Sequence, residues 1–307
     1  MDADKFKGVL FGQAIGDALG LCTEFMTKGE VRHWYPDGVK NYSQMMVDYH
    51  RARWQPGDWT DDTDMMLCIA EAVIKDKELN SQSVAQNFKK WFLGCPKGIG
   101  RHTYNVLSLG DYVKKPHRAA ELVWQMSGRR NAANGAVMRT SVIGLLNGEV
   151  EEHAADICRL THTDPRCVGS TVIVSQMVHA LVYRNELLPL EKLIEIGRQY
   201  DDRIEPYLLM VRSETLNVLN LDDEAMGYTL KTMAAGLWSV YHAGSFEEGL
   251  LEVVNAGGDA DTNGAVAGSL LGARFGYSNI PTRYVDGLVR KDALTRVSDA
   301  LQDVLKG

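Results

Sequence analysis

The sequence predicts an all-α fold. Apolar residues recur at helical spacing along nearly all of the 307 residues. Alternating strand patterns are scarce, and the eight prolines form no Pro-rich linker. With no repeat and no low-complexity tail, residues 1–307 read as one domain.

The elements follow in order. Phe6, Val9, Leu10, Ala14 and Leu19 keep helical spacing, and Gly20 ends that helix. The same period predicts helices over 65–74, 83–93, 136–146, 165–183, 188–200, 225–241, 246–254, 260–275 and 293–305. The glycines at 12, 16 and 20 suggest close helix packing. The helix from Ala260 is rich in small residues (Ala265, Ala267, Gly268, Ser269, Gly272, Ala273), which predicts a central, closely packed element. Two stretches read as ordered loops. Residues 35–59 end in Gln55-Pro56-Gly57-Asp58-Trp59, and residues 94–100 hold Pro96 and Gly98.

Bulk composition narrows the function. A hydrophobic fraction of 45% supports a real core. A formal net charge of −7 argues against nonspecific binding to nucleic acid or anionic membrane. The most apolar stretch, 264–273, is about half a membrane span. Five cysteines without metal-like spacing fit reduced thiols in a cytoplasmic protein, and Met1-Asp2-Ala3-Asp4-Lys5 opens no signal peptide.

Two acidic clusters carry the chemistry. They are Thr60-Asp61-Asp62-Thr63-Asp64 and Gly257-Gly258-Asp259-Ala260-Asp261-Thr262-Asn263. Each precedes a helix-forming apolar run, where Thr60, Asp261 or Thr262 could cap the helix. Each cluster alone could be a capped turn, but gathering so many carboxylates is unfavourable unless cations neutralise them. The ligands are all oxygen, which favours Mg²⁺ or Mn²⁺ over zinc. Asp61 and Asp62 diverge by about 100° on a helix, so they could serve two ions, or one ion and a supporting role.

In this order, Gly16-Asp17-Ala18-Leu19-Gly20 with Glu24, then Pro56-Gly57-Asp58-Trp59-Thr60-Asp61-Asp62-Thr63, then Gly257 to Asn263, resemble the ADP-ribosylglycohydrolase family. The resemblance implies an orthogonal multi-helix bundle around a central binuclear metal cleft. It implies two divalent cations, Mg²⁺ or Mn²⁺, held by Thr60, Asp61, Asp62, Asp259, Asp261 and Thr262. Glu24 matches the family's catalytic or gating acid, and Asp62 is a second candidate catalytic base. Asn134-Gly135-Ala136-Val137-Met138-Arg139 looks like its phosphate- and ribose-binding loop, His162 matches a histidine near the nucleotide, and Tyr228 is a candidate to stack on adenine. Asn134-Gly135 also reads as a plain turn, His162 as a capped surface residue and Tyr228 as a packing residue.

Some members carry Asp-Ile-Gly in the loop that here reads Lys97-Gly98-Ile99-Gly100-Arg101. Gly98, Ile99 and Gly100 are therefore expected at the substrate, with an acid missing at 98. The implied partner is an ADP-ribosylated protein or small ADP-ribose conjugate, foremost ADP-ribosyl-arginine. The alternatives are an O-linked ADP-ribose hydrolase (serine, O-acetyl-ADP-ribose or poly-ADP-ribose), a non-catalytic ADP-ribose-binding homologue, and a two-metal phosphoesterase.

Overall fold

The computed structural model describes residues 1–306. Among them, fifteen α-helices and eight short 3-10 or π segments form the regular structure, with only two isolated β-bridges. The all-α expectation holds.

The centre is a glycine seam. Helix Ala3–Gly20 runs antiparallel to helix Ala260–Phe275, with Gly8, Gly12, Gly16 and Gly20 facing Gly272, Gly268, Gly264 and Ala260. A spacing of four keeps these residues on one stripe of each helix. The backbones approach so closely that a Cβ on Gly16 would lie 1.9 Å from the Gly264 carbonyl oxygen. Around the stripe, Phe6, Leu10, Phe11 and Ile15 are fully buried. Each such side chain contributes roughly 1.5–3 kcal/mol on burial. The antiparallel run brings the end of the first helix to the start of the late one, and this joins Glu24 to Asp259.

Helices Thr229–His242 and Phe246–Val254 enclose helix Ala260–Phe275 further, with Gly236 packed against Val266. Helix Asp61–Asp76 docks beside the first helix, where Gln13 Nε2 donates to the Asp62 carbonyl at 3.2 Å.

Several expected elements need correction. Residues 136–146 are not one helix but two 3-10 turns, Val137–Arg139 and Ser141–Leu145. The branch-rich run Val137, Thr140, Val142 and Ile143 disfavours a regular helix. Gly144 also lies tight against Ser175 and Val178 of helix Pro165–His179. That helix continues as a π turn, Ala180–Arg184, and the one expected from 225 begins at Thr229. Short helices at Lys28–Trp34, Arg101–Leu107, Pro116–Met126, Val150–Arg159, Ile204–Met210 and Thr282–Gly287 were not expected. No helix among the described residues is long and apolar enough to cross a membrane.

Candidate active site

The turn after the first helix is clamped to the Gly257-Gly258 turn. Phe25 donates its amide to the Gly258 carbonyl at 2.6 Å, and Gly258 returns its amide to Met26 at 2.8 Å. Gly258 has φ 71°, and a Cβ there would lie 2.0 Å from the Leu221 carbonyl oxygen. Only glycine meets both demands. Phe25 itself sits at φ 62°, a left-handed conformation that a bulky side chain rarely adopts. The clamp holds Glu24 against Asp259.

Two groups of three carboxylates result. Asp17, Asp62 and Asp261 bring oxygens within 4.8 Å of one another, and so do Glu24, Asp259 and Asp261. Asp261 belongs to both. Asp61 faces the other wall, with Oδ1 3.0 Å from where a Cβ on Gly98 would be.

Asp17 was not expected here, and its role is distinct. It accepts the Thr60 amide at 2.9 Å, the Thr63 amide at 3.0 Å and the Thr63 hydroxyl at 2.7 Å. It therefore caps the Asp61–Asp76 helix from a distance, and Thr60 does not. The Thr60 hydroxyl instead donates to Asp62 at 3.1 Å. The second acidic helix starts at Ala260, where Asp259 makes no side-chain cap bond and Asp261 accepts the Thr262 amide at 2.8 Å. The hydroxyls thus stay with the carboxylates rather than the helix ends.

The donor set fits a hard cation. Asp62 Oδ1 is buried with no hydrogen-bond partner. Burial first, then neighbouring acids, pushes Asp62 and Asp261 well above the usual carboxylate range. Asp61 rises to about 7 and Asp259 to about 6, again through burial first and Glu24 next among the charges. Positive charge would relieve all four at once. Asn134 Nδ2 already supports Asp259, donating at 2.7 Å, and donates to Thr232 at 3.0 Å.

These carboxylates floor a cleft of about 440 Å³. Of the expected residues, Glu24, Thr60, Asp61, Asp62, Gly98, Ile99, Gly100, Asn134, Gly135, Met138, His162, Asp259, Asp261 and Thr262 line it. Ala136 and Arg139 do not, because both are fully buried behind the loop. Arg139 donates to the Gly135 carbonyl at 2.7 Å and the Thr161 hydroxyl at 2.6 Å. Tyr228 also lies off the cleft lining, 3.3 Å from Arg166 and edge-on to Tyr207.

Through Thr161, Arg139 reaches His162, whose Nδ1 lies 2.7 Å from the Thr161 hydroxyl. Burial, with His102 and Arg139 nearby, holds His162 well below its ordinary range, so the ring is neutral. Arg139 donates to the Thr161 hydroxyl, whose own hydrogen is then free for Nδ1; in that tautomer the ring hydrogen sits on Nε2, which is buried without a protein partner against Gly135. That is a ready donor for a ligand oxygen.

The cleft also takes His50, Arg53 and Trp54 from the long loop, and Arg101, His102 and Thr103 from helix Arg101–Leu107. The loop was expected to be ordered, but no spacing signal singles these residues out. Asp17 had one: its helix is apolar or glycine on nearly every face, so a carboxylate there has little solvent to reach.

A sequence model of ADP-ribosylglycohydrolase matches residues 1–307. The chain belongs to the ADP-ribosylglycohydrolase family. It is 28% identical over 318 residues to "ADP-ribosylarginine hydrolase Tri1" of Serratia proteamaculans, covering 97% of this chain and 79% of that one. It is 28% identical over 302 residues to "ADP-ribosyl-[dinitrogen reductase] glycohydrolase" of Rhodospirillum rubrum, covering 94% and 91%. Among solved structures, the "ADP-ribosylglycohydrolase-related protein complex" superposes with a TM-score of 0.77 at 27% identity, covering 98% of each chain. The family expectation and its enzyme class therefore hold.

Proposed function

We propose that the protein hydrolyses the glycosidic bond between ADP-ribose and a modified target, foremost ADP-ribosyl-arginine on protein. The observation that carries this reading is the pair of carboxylate groups joined at Asp261 on the floor of a cleft whose wall is the Asn134-Gly135 turn. Residues 1–307 act as one domain in this reading.

Thr60, Asp61, Asp62, Asp259, Asp261 and Thr262 would hold two divalent ions, Mg²⁺ or Mn²⁺. When bound, the ions supply positive charge that orients the ribose hydroxyls and stabilises the transition state. His162 Nε2 and the Gly135 backbone bind the diphosphate side, which fixes C1″ over the carboxylates. Glu24 takes a proton from the attacking water, with Asp62 as the alternative base. The water oxygen bonds to C1″ as the C1″–N bond breaks through an oxocarbenium-like state. Glu24 then passes the proton to the leaving guanidine nitrogen.

Gly98 supports O-linked ADP-ribose as the second reading, because the wall beside Asp61 lacks the acid that some members carry. The test is incubation with arginine-, serine- and nucleic-acid-linked ADP-ribose, with and without Mg²⁺ or Mn²⁺, read by mass spectrometry. Divalent-dependent release from arginine is the expected result. Release only from serine would favour the second reading, and binding of ADP-ribose without any release would overturn both.

A further inference from the structure

We infer that His50 is a positioning residue for Glu24, an inference that rests on the hydrolase reading above. His50 Nε2 lies 2.6 Å from Glu24 Oε2, and its Nδ1 lies 2.9 Å from Arg53 Nη2. A guanidinium can only donate, so Nδ1 is the accepting nitrogen. The hydrogen therefore sits on Nε2 and points at Glu24.

Two aromatic rings and a guanidinium hold the imidazole, which stays partly exposed. Its ring packs between Phe25 at 5.1 Å and Trp54 at 5.3 Å, centroid to centroid. Phe25, at φ 62°, is exposed on its other side. Arg53 is fixed in turn. It donates to the His50 carbonyl at 3.2 Å and the Lys97 carbonyl at 2.7 Å, and its guanidinium lies 4.6 Å over the Trp54 ring. The Glu24 backbone is tied separately, because Arg51 donates to its carbonyl.

The consequence is a division of labour on one carboxylate. His50 occupies one Glu24 oxygen, keeps the carboxylate an acceptor, and leaves the other oxygen to face the substrate water. A proton received by Glu24 then sits on the free oxygen, where it can be handed on. His50 itself touches neither substrate nor ion in this scheme.

The test uses the full chain with an ADP-ribosyl-arginine peptide and Mg²⁺ or Mn²⁺. His50→Leu should lower kcat by about 10–100-fold, the usual effect of losing an orienting partner. KM should stay within about threefold, since ground-state binding is untouched. His50→Gln, which keeps an N–H donor, should recover most of kcat. Full kcat in His50→Leu, or no recovery in His50→Gln, would overturn the inference. A second readout does not need turnover: imidazole ¹⁵N NMR should show hydrogen on Nε2 of His50, with its resonance moved by Glu24→Gln. Hydrogen on Nδ1 instead would overturn the inference even if no adduct were hydrolysed. Absence of release by the wild-type protein, with the Nε2 signal present, would strike only the hydrolase reading.

Discussion

The Asp17 carboxylate accepts the Thr60 amide at 2.9 Å, so the end of the first helix caps the helix that presents the acid cluster. Three donors from Thr60 and Thr63 share that carboxylate. Its three bonds hold Asp17 to this helix, so it orients the Thr60 to Asp62 segment. Asp17→Ala should lower stability by about 1–3 kcal/mol, the consequence of leaving buried donors unpaired. It should also weaken divalent-ion binding. Denaturant unfolding and calorimetric ion titration check both effects, and a variant with unchanged ion affinity would deny Asp17 its orienting role.

The glycine seam should tolerate no side chain. A Cβ on Gly16 meets the Gly264 carbonyl at 1.9 Å, and one on Gly12 meets the Gly268 carbonyl at 2.1 Å. Helix backbone cannot yield as a flexible side chain can. Gly16→Val should therefore destabilise by more than the roughly 1–3 kcal/mol usual for overpacking. Gly110→Ala, where nothing lies within 4 Å of a new Cβ, is the control and should change stability by less than about 0.5 kcal/mol. Equal melting temperatures for the two variants would contradict the seam.

Stability without divalent ions should fall with rising pH. Asp61 and Asp259 are raised in the folded state to about 7 and about 6, whereas an unfolded aspartate titrates near 3.9. A raised acid binds its proton more tightly when folded. Its contribution is therefore fully present below about pH 4 and is lost as pH climbs through 6 to 7. Mg²⁺ or Mn²⁺ takes over the neutralising role, so the rise in melting temperature on adding ions should be larger at pH 8 than at pH 5. Differential scanning fluorimetry with and without chelator reads this directly. An ion effect that is equal at both pH values would count against the carboxylates as the binding site.

Gly98 should resist an acid. Its Cβ position is 3.0 Å from Asp61 Oδ1 and 3.2 Å from Trp54, so Gly98→Asp crowds one carboxylate with another. Arginine-linked turnover should drop by about tenfold or more, as a misplaced cleft wall typically causes. A gain in turnover would mean that the loop shifts to use the new acid.

Arg139 should matter through His162, not through a phosphate. Arg139→Met leaves the Gly135 carbonyl and Thr161 hydroxyl without their buried donor. Unfolding should be easier by about 1–3 kcal/mol, the consequence of leaving buried acceptors unpaired. ADP-ribose affinity measured on the folded fraction should fall as well, because the Thr161 hydroxyl that meets His162 Nδ1 loses the Arg139 bond that anchors it.

Much of this was legible in the chain, and the reasons for the rest are physical. Helices Phe246–Val254 and Ala260–Phe275 fall where their apolar and small-residue patterns put them. The converging acid clusters follow from side-chain chemistry, since carboxylates at 61–62 and 259–261 need a shared purpose. Helices such as Arg101–Leu107 and Ile204–Met210 hold only seven residues, too few for a periodic signal to rise above chance. The segment 136–146 failed because β-branched residues carry helical apolar spacing without helical backbone preference. Arg139 follows the cleft-lining Asn134-Gly135 turn in sequence, yet a long side chain can turn inward. His50 lies in a loop, where no period links it to Glu24.

The central claim is that Asp261 joins two ion sites. It is tested most directly by counting Mn²⁺ per chain in wild-type protein and Asp261→Asn, with release of ADP-ribose from arginine measured on the same samples. The account predicts two ions and turnover in the wild type, and loss of both ions together with turnover in the variant. Two ions retained in Asp261→Asn, or wild-type protein that turns over without any, would contradict it.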